Sequence, residues 1–341
     1  MGLNKESGIK IGRGTPGARN LITDVPGVKV GHVTIRDGAD INTGVTAILP
    51  HEGNLFQEKV MASSCVINGF GKTMGLVQVE ELGTIETPII MTNTLSIGTA
   101  ATALIKYMLQ QNEDIGVKTG TVNPLVCECN DGTLNDIRGL HVKEEHVFEA
   151  LANCSEDFAE GVVGSGTGMC CLGLKGGIGS ASRIVKLDGT EYTVGALVMS
   201  NFGGAGRLLI EGRHMGQEIK DKLEAQQDKG SIIMLIATDI PLSERQLKRV
   251  ARRAAVGLAR TGSYYGNGSG DIAIAFTTAN RVPHYSKTAV MDMKMLADSK
   301  IDPVFDMAAE AVEEAIISSL YHAETTTGRA GKVKYGLRDF L

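Results

Sequence analysis

Gln226-Gln227-Asp228-Lys229-Gly230-Ser231-Ile232-Ile233-Met234-Leu235-Ile236 is the stretch that decides how this chain is read. A polar, flexible run meets a continuous apolar segment, and a Gly-Ser pair stands at the joint. As local sequence it is a turn ahead of a strand. It also sets a nucleophilic side chain at a bond that could be cut. Hydrolysis of the Gly230–Ser231 bond would give Ser231 a free α-amine. The ordinary pKa of such an amine, about 7.7–8.0, suits it to take the proton of its own hydroxyl. One residue would then be nucleophile and base together.

Outward from this joint, short apolar runs bounded by Gly, Pro, Asn and Asp alternate with fewer helical patterns, which predicts mixed α and β layers. Strands are expected at residues 28–35, 43–49, 87–92, 192–200, 231–238 and 271–278. Several are rich in Val, Ile and Ala without alternation, the mark of strands buried on both faces. A helix is expected over 303–322, with Asp302 as its cap and Pro303 in its first turn. A second starts at Ser243, its stripe made by Leu247, Val250, Ala251, Ala254 and Leu258. Others are expected at 97–111 and 143–152. The basic run Lys248, Arg249, Arg252 and Arg253 reads as a solvated helix face. Residues 216–230 read as a polar linker that ends at the proposed cut.

Composition narrows the function. The 341 residues can bury a large core. With 21% charged residues and a net charge of −5, the chain has no basic footprint for nucleic acid. It has no Trp and only 4% aromatic residues, which leaves few platforms for stacking bases. The 43 glycines follow no three-residue period, so they indicate tight turns and close backbone approaches rather than a collagen-like repeat. Small-molecule chemistry is the expectation. Cys65, Cys127, Cys129, Cys154, Cys170 and Cys171 lack paired zinc spacing and read as reduced, mostly buried thiols. Met1-Gly2-Leu3-Asn4-Lys5-Glu6 has Glu6 where a myristoylation signal needs Ser or Thr. No secretory signal or long apolar span is apparent, so a soluble cytoplasmic protein without a membrane partner is expected.

Several motifs can be set aside. Gly71-Lys72-Thr73 looks like the end of a phosphate-binding loop, but Val66 stands where its first glycine belongs. Gly164-Ser165-Gly166-Thr167-Gly168 lacks dinucleotide-site spacing and reads as a close-packed loop near the active centre. The seven histidines are scattered, and no nucleophile elbow surrounds a serine. Ser269-Gly270-Asp271 is of another kind. It carries a hydroxyl and a carboxylate two residues apart into the apolar run Ile272-Ala273-Ile274-Ala275-Phe276. In an extended chain these two side chains face the same way and can orient one amine or hydroxyl.

The segments Asn20-Leu21-Ile22-Thr23-Asp24-Val25-Pro26-Gly27-Val28, Thr43-Gly44-Val45-Thr46, Asn68-Gly69-Phe70-Gly71-Lys72, Thr92-Asn93-Thr94-Leu95-Ser96, Lys175-Gly176-Gly177-Ile178-Gly179, Asn201-Phe202-Gly203, Gly230-Ser231-Ile232-Ile233 and Gly268-Ser269-Gly270-Asp271 occur in this order through nearly the whole chain. In that order they resemble the L-aminopeptidase/D-amidase/D-esterase family, to which the β-aminopeptidases also belong. The resemblance implies an α+β fold, a four-layer αββα sandwich. It implies one domain made of residues 1–230 and 231–341 after self-cleavage between Gly230 and Ser231. Ser231 would attack peptides, amides or esters that bear a free N-terminal amino group, through an acyl-enzyme.

By the same resemblance Ser269 and Asp271 would support the nucleophile. The β-aminopeptidases carry Glu where this chain has Asp271, one methylene shorter. Asn201 would stabilise the oxyanion. Glu128 would meet the substrate's ammonium, and Asn130 stands where characterised relatives carry a tyrosine near the substrate. No metal or organic cofactor is expected, and the resemblance suggests a homo-tetramer of cleaved protomers. Two alternatives stay open at this point. One is an acyl transferase like ornithine acetyltransferase, in which a Thr follows the cut. The other is an uncleaved, non-catalytic binding relative.

Overall fold

Ser231–Thr238 is buried at every position, which requires cover on both faces of the strand. A computed structural model, describing Leu3, residues 7–223 and residues 230–341, shows how that cover is built. The strands are β1 (Lys29–Asp37), β2 (Ile41–Leu49), β3 (Glu58–Gly69), β4 (Thr84–Ile85), β5 (Ile89–Asn93) and β6 (Leu125–Cys129). They continue with β7 (Cys170–Cys171), β8 (Leu174–Lys175), β9 (Gly177–Leu187), β10 (Thr190–Asn201), β11 (Ser231–Thr238) and β12 (Gly270–Pro283). The helices are α1 (Leu76–Leu82), α2 (Ile97–Gln111), α3 (Glu144–Ala152), α4 (Met215–Ile219), α5 (Glu244–Ala251), α6 (Ala254–Arg260) and α7 (Asp302–Tyr321).

One sheet has the order β1-β2-β5-β6 and the other β4-β3-β12-β11-β10-β9. Ile233, Leu235 and Ala237 of β11 point between the sheets, against Ile48, Ile89, Met91, Leu125 and Cys127. The alternate residues Ile232, Met234 and Ile236 pack with Leu247, Val250, Leu258, Val304 and Ile316 of α5, α6 and α7. On the far side Ala100, Leu104, Val147 and Leu151 of α2 and α3 cover Val45, Ala47, Ile90 and Val126. Helices, four-stranded sheet, six-stranded sheet and helices therefore stack as an αββα sandwich. Each fully buried Ile or Leu contributes about 1.5–3 kcal/mol to holding these layers together.

Every expected strand and helix has a counterpart, with instructive differences. The helix starts at Ser243 as expected, with that serine as its cap, but it is broken at Arg252-Arg253 into α5 and α6. Asp302 lies inside the first turn of α7, and Ile301 takes the cap position. The expected linker begins as the short helix α4, with Met215 and Ile219 buried. Its residues 224–229 lie outside the described residues, as does most of Met1–Glu6. Strands β3 and β9 carry so many Ser, Ala and Gly residues that no β propensity announces them. The small residues have a packing cause: a Cβ on Gly179 would lie 2.0 Å from the carbonyl oxygen of Ala315, so β9 can meet α7 only without a side chain there.

The basic run is engaged rather than merely solvated. Lys248 bonds Glu80, and Arg253 lies 3.7 Å over the Phe305 ring. Arg183 on β9 is fully buried and gives its guanidinium to Glu310 at 3.1 Å, to Glu314 at 2.5 Å and to the Ile11 carbonyl at 2.7 Å. Glu310 also accepts the N–H groups of Arg13 and Gly14. Removing the cation would leave two carboxylates buried without it. Arg183→Ala is therefore expected to lower the unfolding free energy by about 3–5 kcal/mol in urea titrations, several times the cost of an exposed charge deletion.

Candidate active site

Ser231 opens β11 and Asn201 closes β10, and their antiparallel register places the two opposite each other. On the other flank the parallel register sets Gly270 of β12 opposite Ser231. The chain enters β11 through a gap that only glycine fits, because a Cβ on Gly230 would lie 1.9 Å from the Asn201 carbonyl oxygen. The Gly270 N–H donates to the Gly230 carbonyl at 3.2 Å and, as a shared bond, to the Ser231 hydroxyl oxygen at 3.2 Å. This donor is one that sequence reasoning left unassigned.

The Ser269 hydroxyl donates to the Asp271 carboxylate at 2.6 Å, so the shorter acid reaches its partner. Both side chains are buried. Their register sets them on either side of Gly270, level with the main chain around Ser231. Asn68, at the end of β3, ties down the approach to this pair by donating to the carbonyls of Gly266 and Ser269. The Asn201 side chain accepts the Cys170 N–H at 2.9 Å and donates to the Asn130 carbonyl at 2.9 Å. These two bonds fix which end of the amide is the donor, and an amide NH₂ retains a second hydrogen to give.

The four-stranded sheet supplies the opposite wall. Glu128 is buried near the end of β6 and accepts the Lys72 N–H at 2.8 Å and the Thr94 hydroxyl. The backbone of the rejected phosphate loop thus binds a carboxylate of the protein itself. Asn130 is exposed, and its side chain accepts the Gly132 N–H at 2.9 Å, closing a turn. A cavity of about 390 Å³ joins these groups and is lined by Phe70, Lys72, Thr94, Glu128, Asn130, Gly230, Ser231 and Gly268. The structure thus brings Ser231, Gly230, Glu128 and Asn130 to one cavity, with Asn201, Ser269 and Asp271 directly behind its wall. Phe70, Lys72 and Thr94 are lining residues to which the sequence reading gave no role. The segments holding them carried part of the resemblance.

The supporting shell is rich in buried polar groups. The Lys175 ammonium donates to the carbonyls of Gly166, Met169 and Gly176 at 3.0, 2.8 and 2.6 Å, and burial pulls its pKa down to about 7. It thereby anchors the glycine loop that leads to Cys170 and so to Asn201. Asp131 accepts the Thr43 hydroxyl at 2.6 Å and the Asn135 amide at 3.0 Å, and burial pushes its pKa up to about 6. All six cysteines are free thiols, and burial raises the pKa of Cys127, Cys129 and Cys154. Among the described residues no group of three or more His, Cys, Asp or Glu side chains could hold a metal ion.

Residues 20–334 match Peptidase family S58. The chain is 40% identical to the β-peptidyl aminopeptidase BapA of Sphingosinicella microcystinivorans, over 93% of this chain and 85% of that protein. Its fold superposes with a TM-score of 0.95 on the PH0078 protein from Pyrococcus horikoshii OT3, at 61% identity, covering 98% of this chain and 95% of the other. A TM-score of 0.91 relates it to the L-aminopeptidase D-Ala-esterase/amidase of Ochrobactrum anthropi, described as a prototype of the serine aminopeptidases and a variant of the Ntn hydrolase fold. That match has 38% identity and covers 98% of this chain and 94% of the other.

Asp131 gives the site's surroundings a pH signature. Its pKa is raised from 3.8 to about 6 in the folded state, so the folded chain holds a proton that the unfolded chain has released between those values. The stabilisation present below pH 3.8 is therefore lost as pH rises through about 6. Relative to Asp131→Asn, the wild-type chain is expected to lose up to about 3 kcal/mol of unfolding free energy between pH 4 and pH 7. Denaturant titrations of both proteins at each pH measure the difference.

Proposed function

Because the chain belongs to Peptidase family S58 and is a serine aminopeptidase of the N-terminal nucleophile class, we propose that Ser231 is its nucleophile and that the chain exposes it by cutting its own Gly230–Ser231 bond. The observation that carries this reading is the Gly270 N–H, which donates to the carbonyl oxygen of Gly230 while also touching the Ser231 hydroxyl. A donor on that oxygen stabilises the negative charge that develops when the carbonyl is attacked. In the proposed step the Ser231 oxygen bonds to the Gly230 carbonyl carbon. The C–N bond breaks, and the hydroxyl proton passes to the departing nitrogen. Water then hydrolyses the ester, leaving a Gly230 carboxylate and a Ser231 with a free α-amine. The mature enzyme is one αββα domain of two pieces, residues 1–230 and 231–341.

In turnover the Ser231 amine takes the hydroxyl proton as the oxygen attacks the acyl carbon of the substrate, and returns it to the leaving group. Water repeats the sequence on the acyl-enzyme. Asn201 supplies its remaining amide hydrogen to the oxyanion, and Ser269 with Asp271 orients the amine. Glu128, already buried and held by two donors, pairs with the substrate's ammonium. Asn130 shapes the wall that a tyrosine occupies in characterised relatives. The scheme uses no metal or organic cofactor.

Substrates are peptides, amides and esters with a free amino terminus, D-aminoacyl amides among them. The family likeness supports a homo-tetramer of cleaved protomers. No helix among the described residues is long and apolar enough to cross a membrane.

Ser231→Ala is expected to remain a single chain under denaturing mass measurement, whereas the parent yields two pieces with Ser231 at the new amino terminus. Its hydrolysis of aminoacyl amides should fall by at least about 10³-fold. A variant that is still cut and still active at the parental rate overturns the proposal. The pH dependence of kcat/KM should be a narrow bell. The Ser231 amine must be neutral, which requires pH near or above about 7.7–8.0, while the substrate amine must stay charged for Glu128. The falling limb should disappear from kcat measured at saturation.

A further inference from the structure

Two charged side chains line the cavity among the described residues, Glu128 and Lys72, and the mechanism above employs only Glu128. Lys72 is exposed, and its ammonium lies 5.0 Å from the centroid of the Phe70 ring, itself exposed. Among the described residues no carboxylate lies within ion-pair distance of that ammonium. The two charges are nonetheless linked, because the Lys72 N–H holds the Glu128 carboxylate at 2.8 Å. The flexible lysine stem therefore starts beside the anion, while its cation, over Phe70, lies beyond ion-pair distance of it. Resting over Phe70, the ammonium leaves Glu128 free of a competing cation.

We infer that Lys72 binds the C-terminal carboxylate of the substrate and so makes the enzyme selective for short peptides with a free carboxylate, dipeptides first, over their amides and esters. The inference rests on the reading in which Glu128 takes the substrate's ammonium and Ser231 attacks the bond between the two ends. The dimensions agree. An extended dipeptide spans about 7 Å, within the reach of a lysine stem whose backbone is anchored on Glu128. A cavity of about 390 Å³ is near the small end of ligand sites, which run from roughly 300 to 1,000 Å³. Opposite charges at the two ends also fix the direction in which a peptide lies. A longer peptide would carry its carboxylate past the reach of Lys72.

The test compares kcat/KM for one dipeptide as the free acid and as its C-terminal amide, in the parent, Lys72→Gln and Lys72→Arg, each confirmed by mass to have self-processed. The parent should favour the acid, and Lys72→Gln should lower the acid-to-amide ratio about tenfold, through KM for the acid. Lys72→Arg should keep the ratio. Raising salt to about 0.5 M should compress it in the parent. A ratio unchanged in Lys72→Gln overturns the inference and leaves the nucleophile reading standing. Processed parent enzyme that hydrolyses neither substrate overturns both.

Discussion

Gly230 lies so close to the main chain of Asn201 that no side chain fits between them, and the positions of the groups proposed to react follow from that contact. It fixes where the strand begins, and hence that Ser231 is its first residue, opposite Asn201 and Gly270. Strand alternation then turns the Ser231 side chain to the same face as Ile233 and Leu235, between the two sheets. The four-stranded sheet brings Glu128 and Thr94 to that same edge of the sandwich. A cavity between layers results, with one wall from each sheet. The Gly270 N–H belongs to the main chain and the Asn201 amide is already held by two bonds, so these two donors need little reorganisation to act.

The buried polar groups behind the cavity serve the same rigidity. Lys175 satisfies three carbonyls at once, Asp131 gathers Thr43 and Asn135, and Asn201 is gripped at both ends of its amide. Each such group is costly to bury and is tolerated because its hydrogen bonds are made inside the protein. The effect is to define one arrangement of the loops that carry Cys170 and Asn130.

What the sequence discloses depends on how local the determining contact is. The apolar run of β11, the helix start at Ser243 and the helix over residues 97–111 are set locally, and each is legible. Ser269 and Asp271 are legible for the same reason, since two residues of extended chain suffice to bring them together. Strands β3 and β9 are not, because Ser, Ala and Gly dilute their apolar runs, and in β9 Gly179 answers to the close approach of α7 rather than to strand propensity. The place of Lys72 is equally hidden. Its N–H meets Glu128 across 56 residues of sequence and between two sheets, a meeting that no spacing rule anticipates. The roles expected of Asn201 and Glu128 came from resemblance, and only the fold sets Glu128 in the cavity and Asn201 behind its wall.

The order β4-β3-β12-β11-β10-β9 has a consequence for a chain severed before Ser231. Two strands from the second piece lie between strands from the first, and Arg183 of the first clasps Glu310 and Glu314 of the second inside the protein. The pieces of such a chain would be woven rather than docked. Neither can leave without tearing the central sheet along two seams, so a broken backbone costs the molecule almost none of its cohesion. Activation by the proposed cut would be a ratchet: the chemistry would run once, the architecture would scarcely register it, and the halves would have no route back to separate lives short of unfolding.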